Sequence, residues 1–350
     1  MEQSAPKTKL RKEDKRGRPQ IRHVRRIEAL GIVVLVSLFT ASFFFTTFLI
    51  ENLANNALTA VFPEVEWVTN QNEIIASLRP FGYIAFFMTM ILILVGLILK
   101  KAALTTASSF ALFLPTFGYF ALTMFMLAGI GVLRTIWLPL FDLSSFAFGS
   151  LSLSPGYVNV LNLGQIVFLP FLASGSFLGS VLAKSLMVLG LFIFFLGTFT
   201  WLYGKYRGSA VIDFWIYKLS RHPQYLGYLL WSYGTLIYVS LLHTAKGGYV
   251  PEPSFPWLLS AMIVVGVAFY EEKITFKKYG ERYSSYRDKT SFMLPLPKKV
   301  STLFMAPFRL LFKKKWPENW REIAILLLIY CVVLILISLP VIWFFPLIFY

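Results

Sequence analysis

Ser220-Arg221-His222-Pro223-Gln224-Tyr225-Leu226-Gly227-Tyr228 lies where a charged segment meets a long apolar run. Pro223 suits the first turn of a helix, where its missing N–H costs nothing. It also drives His222 out of the helical region. The stretch therefore predicts a helix beginning at Pro223, with the free N–H groups of its first turn pointing towards whatever sits beside His222 and favouring an anion there. Gly227 leaves one turn bare, so a ligand or a second backbone can approach. The apolar run continues to about Leu242. A segment with Gly247, Gly248, Pro251 and Pro253 then turns the chain, and a second run from Trp257 to Tyr270 ends at Glu271-Glu272. Each run comes close to the length needed to cross ~30 Å of hydrocarbon. Two antiparallel runs return the chain to the face it left, which brings the carboxylate pair back to His222.

The rest of the chain has the same apolar character. Of 350 residues, 57% are hydrophobic and only 14% are charged, and the mean hydropathy is +0.66. Recurring apolar runs of about 20 residues define an all-α, polytopic transmembrane bundle of about seven spans. The alternation of a membrane barrel is absent. The formal net charge of +16 is carried largely by clusters between the runs, so a positive-inside bias explains it without nucleic acid. The single cysteine, Cys331, lies within an apolar run and cannot form an intrachain disulfide. No Cys/His cluster has metal-ligand spacing.

Residues 1–26 read as a disordered basic cytoplasmic tail that leans on anionic lipid headgroups. Residues 27–175 form an N-terminal transmembrane region, with spans at about Ile27–Ile50, Phe81–Leu99 and Ser108–Leu133. Its loop with Glu51, Glu64, Glu66 and Glu73 and the Ser-, Gly- and Pro-rich stretch Trp137–Gln165 are placed outside. Residues 176–297 hold the candidate site, with a fourth span at Phe177–Tyr203 preceded by a short interfacial or re-entrant helix from Gln165. Lys184 either snorkels or faces the bundle. Ser209–Leu219 reads as an amphipathic segment in the interface. Tyr279, Tyr283 and Tyr286 read as an aromatic belt at the headgroups. Residues 298–350 supply a basic interfacial segment and a last span at Ile323–Trp343. Orientation follows from the basic clusters: N-terminus and site face the cytoplasm, in the cell membrane of a prokaryote or the endoplasmic reticulum of a eukaryote.

An anion-favouring helix start opposite carboxylates suits a zwitterionic ligand. The combination Arg221-His222-Pro223-Gln224-Tyr225-Leu226-Gly227, Glu271-Glu272 and Tyr279-Gly280-Glu281-Arg282-Tyr283-Ser284-Ser285-Tyr286 resembles the integral-membrane methyltransferases, among them isoprenylcysteine carboxyl methyltransferase and phospholipid N-methyltransferase. The resemblance covers about Leu186–Pro297. It implies S-adenosylmethionine as cofactor, held by Tyr217, His222, Pro223, Gln224, Tyr225, Gly227 and Glu271, and a lipid or lipidated acceptor arriving from the bilayer, of the isoprenylcysteine carboxylate or phospholipid amine class. His222 and Glu272 are the candidate bases for an amine acceptor. Val267 stands where the isoprenylcysteine enzymes carry an arginine, and Trp215 stands where the family's Gly-x-Tyr has its glycine. Steroid-reductase-like membrane enzymes are similar at Arg-His-Pro-x-Tyr-x-Gly and at the stretch from Tyr286 to Pro295, but have Asn and Glu where this chain has Gln224 and Tyr228. An NADPH-dependent reductase and a non-enzymatic membrane protein are the alternatives.

Overall fold

The computed structural model describes residues 26–61, 71–119, 133–148, 160–171, 175–241, 254–296, 306–314, 316–317 and 319–344. The basic tail before Arg26, the loop with Glu64 and Glu66, the second half of the expected span Ser108–Leu133, the turn with Gly247 and Pro251, and the first basic residues after Leu296 lie outside them. The helices are α1 (Arg26–Val61), α2 (Gln71–Ile98), α3 (Ala102–Phe113), α4 (Leu138–Phe148), α5 (Gly175–Tyr206), α6 (Pro223–Leu241), α7 (Ser254–Tyr279), α8 (Glu281–Lys289), α9 (Ala306–Phe312) and α10 (Trp320–Phe344). Among the described residues there is no strand; one isolated bridge joins Ser220 to Ser291.

Among the described residues, five helices are long and apolar enough to cross a membrane, over Glu28–Leu49, Ala76–Ile98, Phe177–Tyr206, Ser254–Tyr279 and Trp320–Ile342. They match five of the seven expected spans. The expected span from Ser108 corresponds to α3, which is short and gives way to a 3-10 segment at Leu114. The expected span from Pro223 is α6, 19 residues long. Its Tyr, Trp, Gly and Thr residues make it less apolar than the others, and its position explains why this is tolerated. From Pro223 to Ser240 no residue is exposed. α6 is an inner helix sheathed by protein, so it has no need of the lipid-compatible surface carried by α1, where Leu30, Leu38, Phe45 and others are exposed.

α5 and α6 form the closest contact of the bundle. Ala183, Gly190, Gly197 and Gly204 recur every seven residues on α5, and Gly227 and Gly234 do so on α6. A Cβ at Gly190 would stand 2.3 Å from the Trp231 nitrogen; one at Gly227 would stand 2.4 Å from the Phe194 nitrogen. Small residues let the two backbones touch, and a seven-residue period keeps the seam facing its partner as the helices coil.

The contacts divide the bundle into two ends. At one, Glu28 of α1 pairs with Arg207 just beyond α5 at 3.0 Å. Thr106 of α3 lies by Tyr225 of α6, and Tyr225 meets Glu271 near the end of α7. At the other, Arg79 of α2 grips Asp142 of α4, Ser254 at the start of α7 donates to Leu161 O, and Ile166 N donates to Ser338 of α10. The stretch Trp137–Gln165 is not a plain external loop. Trp137 is fully buried and, with Leu140, Val160 and Leu161, builds a core against Val239 of α6. Its Ser- and Gly-rich part, 149–159, lies outside the described residues, and the apolar residues flanking that part fold inwards. Gln165–Phe171 is a short 3-10 segment, with Phe168 and Phe171 buried against Leu236 and Ile237. Lys184 faces the bundle, over the rings of Tyr238 at 5.1 Å and Phe48 at 6.0 Å.

Candidate functional site

The site forms where α6 starts and α7 ends. His222 caps α6: its carbonyl accepts from Leu226 N at 3.0 Å, and its own N–H donates to Ser220 Oγ at 3.2 Å. The preceding strand-like residues are tied to the segment after α8. Ser220 bridges Ser291, and Arg221 N donates to Ser291 O at 3.0 Å. That tie fixes the direction in which Arg221 and His222 leave the backbone.

Three side chains then close on Glu272. Arg221 Nε stands 2.9 Å from Glu272 Oε1, and the two side chains are 1% and 5% exposed. The N–H is not aimed at the oxygen, so the contact is an ion pair rather than an aligned hydrogen bond. His222 Nε2 is 3.2 Å from the same oxygen, and the Tyr283 hydroxyl lies against the carboxylate. Burial pulls the Arg221 guanidinium below its usual pKa, and Glu272 opposes that shift. Burial also pushes the Tyr283 phenol well above its usual value, with the Glu272 charge adding to the effect.

Glu271 faces the other way. Tyr225 donates to its Oε1 at 2.9 Å. Oε2 is 4.0 Å from His222 Nδ1, too far for a hydrogen bond, and this side chain is 39% exposed. The imidazole thus lies between two carboxylates of different character, one buried and paired with Arg221, one open. If Nε2 donates to Glu272, Nδ1 keeps its lone pair on the open side. His222 stacks near Tyr225, with ring centres 5.8 Å apart, and meets Phe292 edge-on at 5.2 Å. Tyr217 is buried; burial raises its phenol pKa strongly, and the nearby Glu271 charge adds to this. Tyr286 donates to Tyr217 O at 2.7 Å, and burial raises its phenol pKa strongly as well. These phenols are therefore neutral donors at any ordinary pH.

Of the residues singled out in the sequence, His222, Tyr225, Tyr217, Glu271 and Glu272 come together. Pro223 opens α6 as expected, but with Gln224 and Gly227 it faces α5. Gly197 lies against Pro223 and Gln224, and Gln224 Nε2 reaches Thr198 Oγ1 at 3.4 Å. The turn bared by Gly227 is filled by the Gly190–Phe194 backbone of α5. The reading of Tyr283 and Tyr286 as a headgroup belt is corrected: Tyr283 is 5% exposed, and both serve the buried cluster. Ser209–Leu219, the expected amphipathic segment, takes no single regular form. It holds bends and a 3-10 turn, Trp215–Lys218. Trp215 has φ +50°, the region glycine adopts most easily, and it stacks on Tyr203 at 5.3 Å. Four contributors went unassigned in the sequence: Arg221 as the partner of Glu272, Thr106 beside Tyr225, Phe292 against His222, and Trp316, whose ring lies 4.9 Å from the Arg221 guanidinium.

The described fold and site together define a helical protein with five helices suited to a membrane and a His–carboxylate cluster at one end of the bundle. No protein-family model, curated protein or solved structure matches the chain.

Proposed function

We propose that the chain is an integral-membrane methyltransferase that moves a methyl group from S-adenosylmethionine to a lipid-soluble acceptor. The observation that carries the reading is the convergence of two sequence elements fifty residues apart: His222 stands between Glu272 and Glu271, with Tyr225 on the latter. The donor set fits the cofactor. Glu271 Oε2 makes no hydrogen bond to the described residues and is partly open. It suits an ammonium or a sugar hydroxyl, and His222 and Tyr225 offer aromatic faces beside it. Glu271, His222, Tyr225 and Tyr217 would hold the cofactor. When bound, S-adenosylmethionine supplies a methyl group already activated on a sulfonium.

The protein's part is to align and to exclude water. Tyr225 fixes the Glu271 carboxylate. Glu272, paired with Arg221, orients His222. His222 Nδ1 is then the atom placed to take a proton from an amine acceptor; a carboxylate acceptor needs none. The seven-pass topology and the hairpin of α6 and α7 belong to the same proposal. Their support is that α3 and α6 both start at the site end of the bundle and run towards the other, as alternating spans would. The positive-inside bias assigns the site end to the cytoplasm.

Calorimetric titration of the detergent-purified chain with S-adenosylhomocysteine, with NADP⁺ as control ligand, tests the reading. S-adenosylhomocysteine alone should bind, and Glu271→Ala and His222→Ala should each weaken it about tenfold or more. Unchanged affinity in both variants refutes the site. Binding of NADP⁺ alone moves the chain to the reductases.

A further inference from the structure

On the side of Glu272 away from Glu271 lies a cavity of about 520 Å³. It falls within the range of small-molecule sites. Its charged lining is lopsided. Lys273, Lys277, Arg287 and Lys314 face Glu272 and Asp288, and the Glu272 charge is already matched by Arg221. Lys314 pairs with Glu322 at 2.9 Å, so Lys273, Lys277 and Arg287 give the cavity its positive character.

Within this lining, at Arg287 and Trp316, and beside it, at Arg221, is a group of buried donors without acceptors. Arg287 Nε, Trp316 Nε1 and Arg221 Nη2 are all buried and make no hydrogen bond. They are neighbours: the Arg221 and Arg287 guanidinium carbons lie 4.9 and 5.6 Å from the Trp316 ring. Arg221 Nη1 donates to Arg287 O at 3.2 Å. Burying one unsatisfied donor is costly and three together are rare. Every one of the three is a donor, so the missing partner is an acceptor. Guanidinium and indole N–H groups gathered beside lysines suit an anion with several oxygens, and a phosphate offers these at the right charge. Phe269, Phe276 and Pro317 complete the wall at the end of a membrane-length helix, so the occupant has an apolar part as well.

We propose that this cavity binds a phosphate group carried on an amphiphilic molecule, with Arg287 and Trp316 donating to the phosphate oxygens and Lys273 and Lys277 supplying charge. The assignment does not depend on the methyltransferase reading, because neither Arg287 nor Trp316 touches Glu271 or His222.

The test is calorimetric titration of the full chain in detergent with dihexanoyl phosphatidic acid, dihexanoyl phosphatidylcholine and inorganic phosphate. Phosphatidic acid should bind, and the zwitterionic lipid should bind about tenfold more weakly or not at all. Arg287→Gln should weaken phosphatidic acid about tenfold by removing the guanidinium charge and its Nε donor, and Trp316→Phe several-fold by removing one donor. Lys277→Gln, on an exposed residue, should weaken it several-fold and keeps the test open if the first two variants fail to fold. If inorganic phosphate binds as tightly as phosphatidic acid, with the same dependence on these residues, the amphiphilic part of the proposal is overturned. If only the lipid binds, the phosphate comes from the bilayer. Equal binding of both lipids, no binding of any probe, or affinities indifferent to all three substitutions overturns the proposal.

Discussion

At the residue scale the Arg221–Glu272 pair sets the terms for everything near it. Both side chains are almost wholly buried, and a buried ion pair gains little over well-packed apolar groups while a broken one leaves a naked charge. Glu272→Ala should therefore destabilise the protein by about 3–5 kcal/mol, measured as loss of thermal stability in detergent. The double variant Arg221→Met with Glu272→Leu should recover most of that stability. It should not recover ligand binding, since His222 has then lost the carboxylate that orients it. If the double variant were as unstable as the single one, the pair would not be the source of the cost. His222, Tyr225 and Glu271 were legible in the sequence because Pro223 marks a helix start and two apolar runs return the chain to one end. The partnership of Arg221 with Glu272 was not, because it needs the Ser220–Ser291 bridge, a contact over about seventy residues that no local pattern announces. Trp215 was legible in part. It occupies the position where the methyltransferases that the sequence resembles carry glycine, and its φ of +50° lies in the region glycine adopts most easily.

At the scale of elements the α5–α6 seam holds the site to the bundle. Gly227→Ala places a Cβ 2.4 Å from one backbone nitrogen and 2.6 Å from a carbonyl oxygen of α5, and neither can swing aside. Overpacking of this kind costs about 1–3 kcal/mol, so the melting temperature should fall. Gly31→Ala, with nothing within 4 Å, is the control and should leave it unchanged. Equal behaviour of the two variants would remove the seam from the account. Hydropathy alone finds α1, α2, α5, α7 and α10, since these present apolar side chains outwards. It underrates α6 for the same physical reason: a helix enclosed by other helices answers to packing and hydrogen bonding rather than to lipid. The tyrosines of α8, Tyr283 and Tyr286, were misread in the opposite sense, because a belt at the headgroups and a cluster around a buried carboxylate draw on the same residue type.

At the scale of the whole molecule the ends of the bundle are distinct, and labelling can read them. In a background with Cys331 replaced by serine, Lys101→Cys and Lys277→Cys, both exposed at the site end, should react with a membrane-impermeant thiol reagent from one side of a sealed vesicle. Ala76→Cys, exposed at the far end of α2, should react from the other side only. Labelling of all three from one side would contradict the alternating topology. The bridge between Ser220 and Ser291 also has a bearing on how the protein is made. Arg221 leaves the ribosome about fifty residues before Glu272 and seventy before Ser291, so the nascent α6 enters its surroundings with a lone cation at its head. In the proposed orientation that charge, until the later helices arrive, is best kept in water at the membrane surface and would hold the start of α6 on the side where synthesis takes place. There the residue that later neutralises Glu272 inside the folded protein would also anchor α6 during insertion.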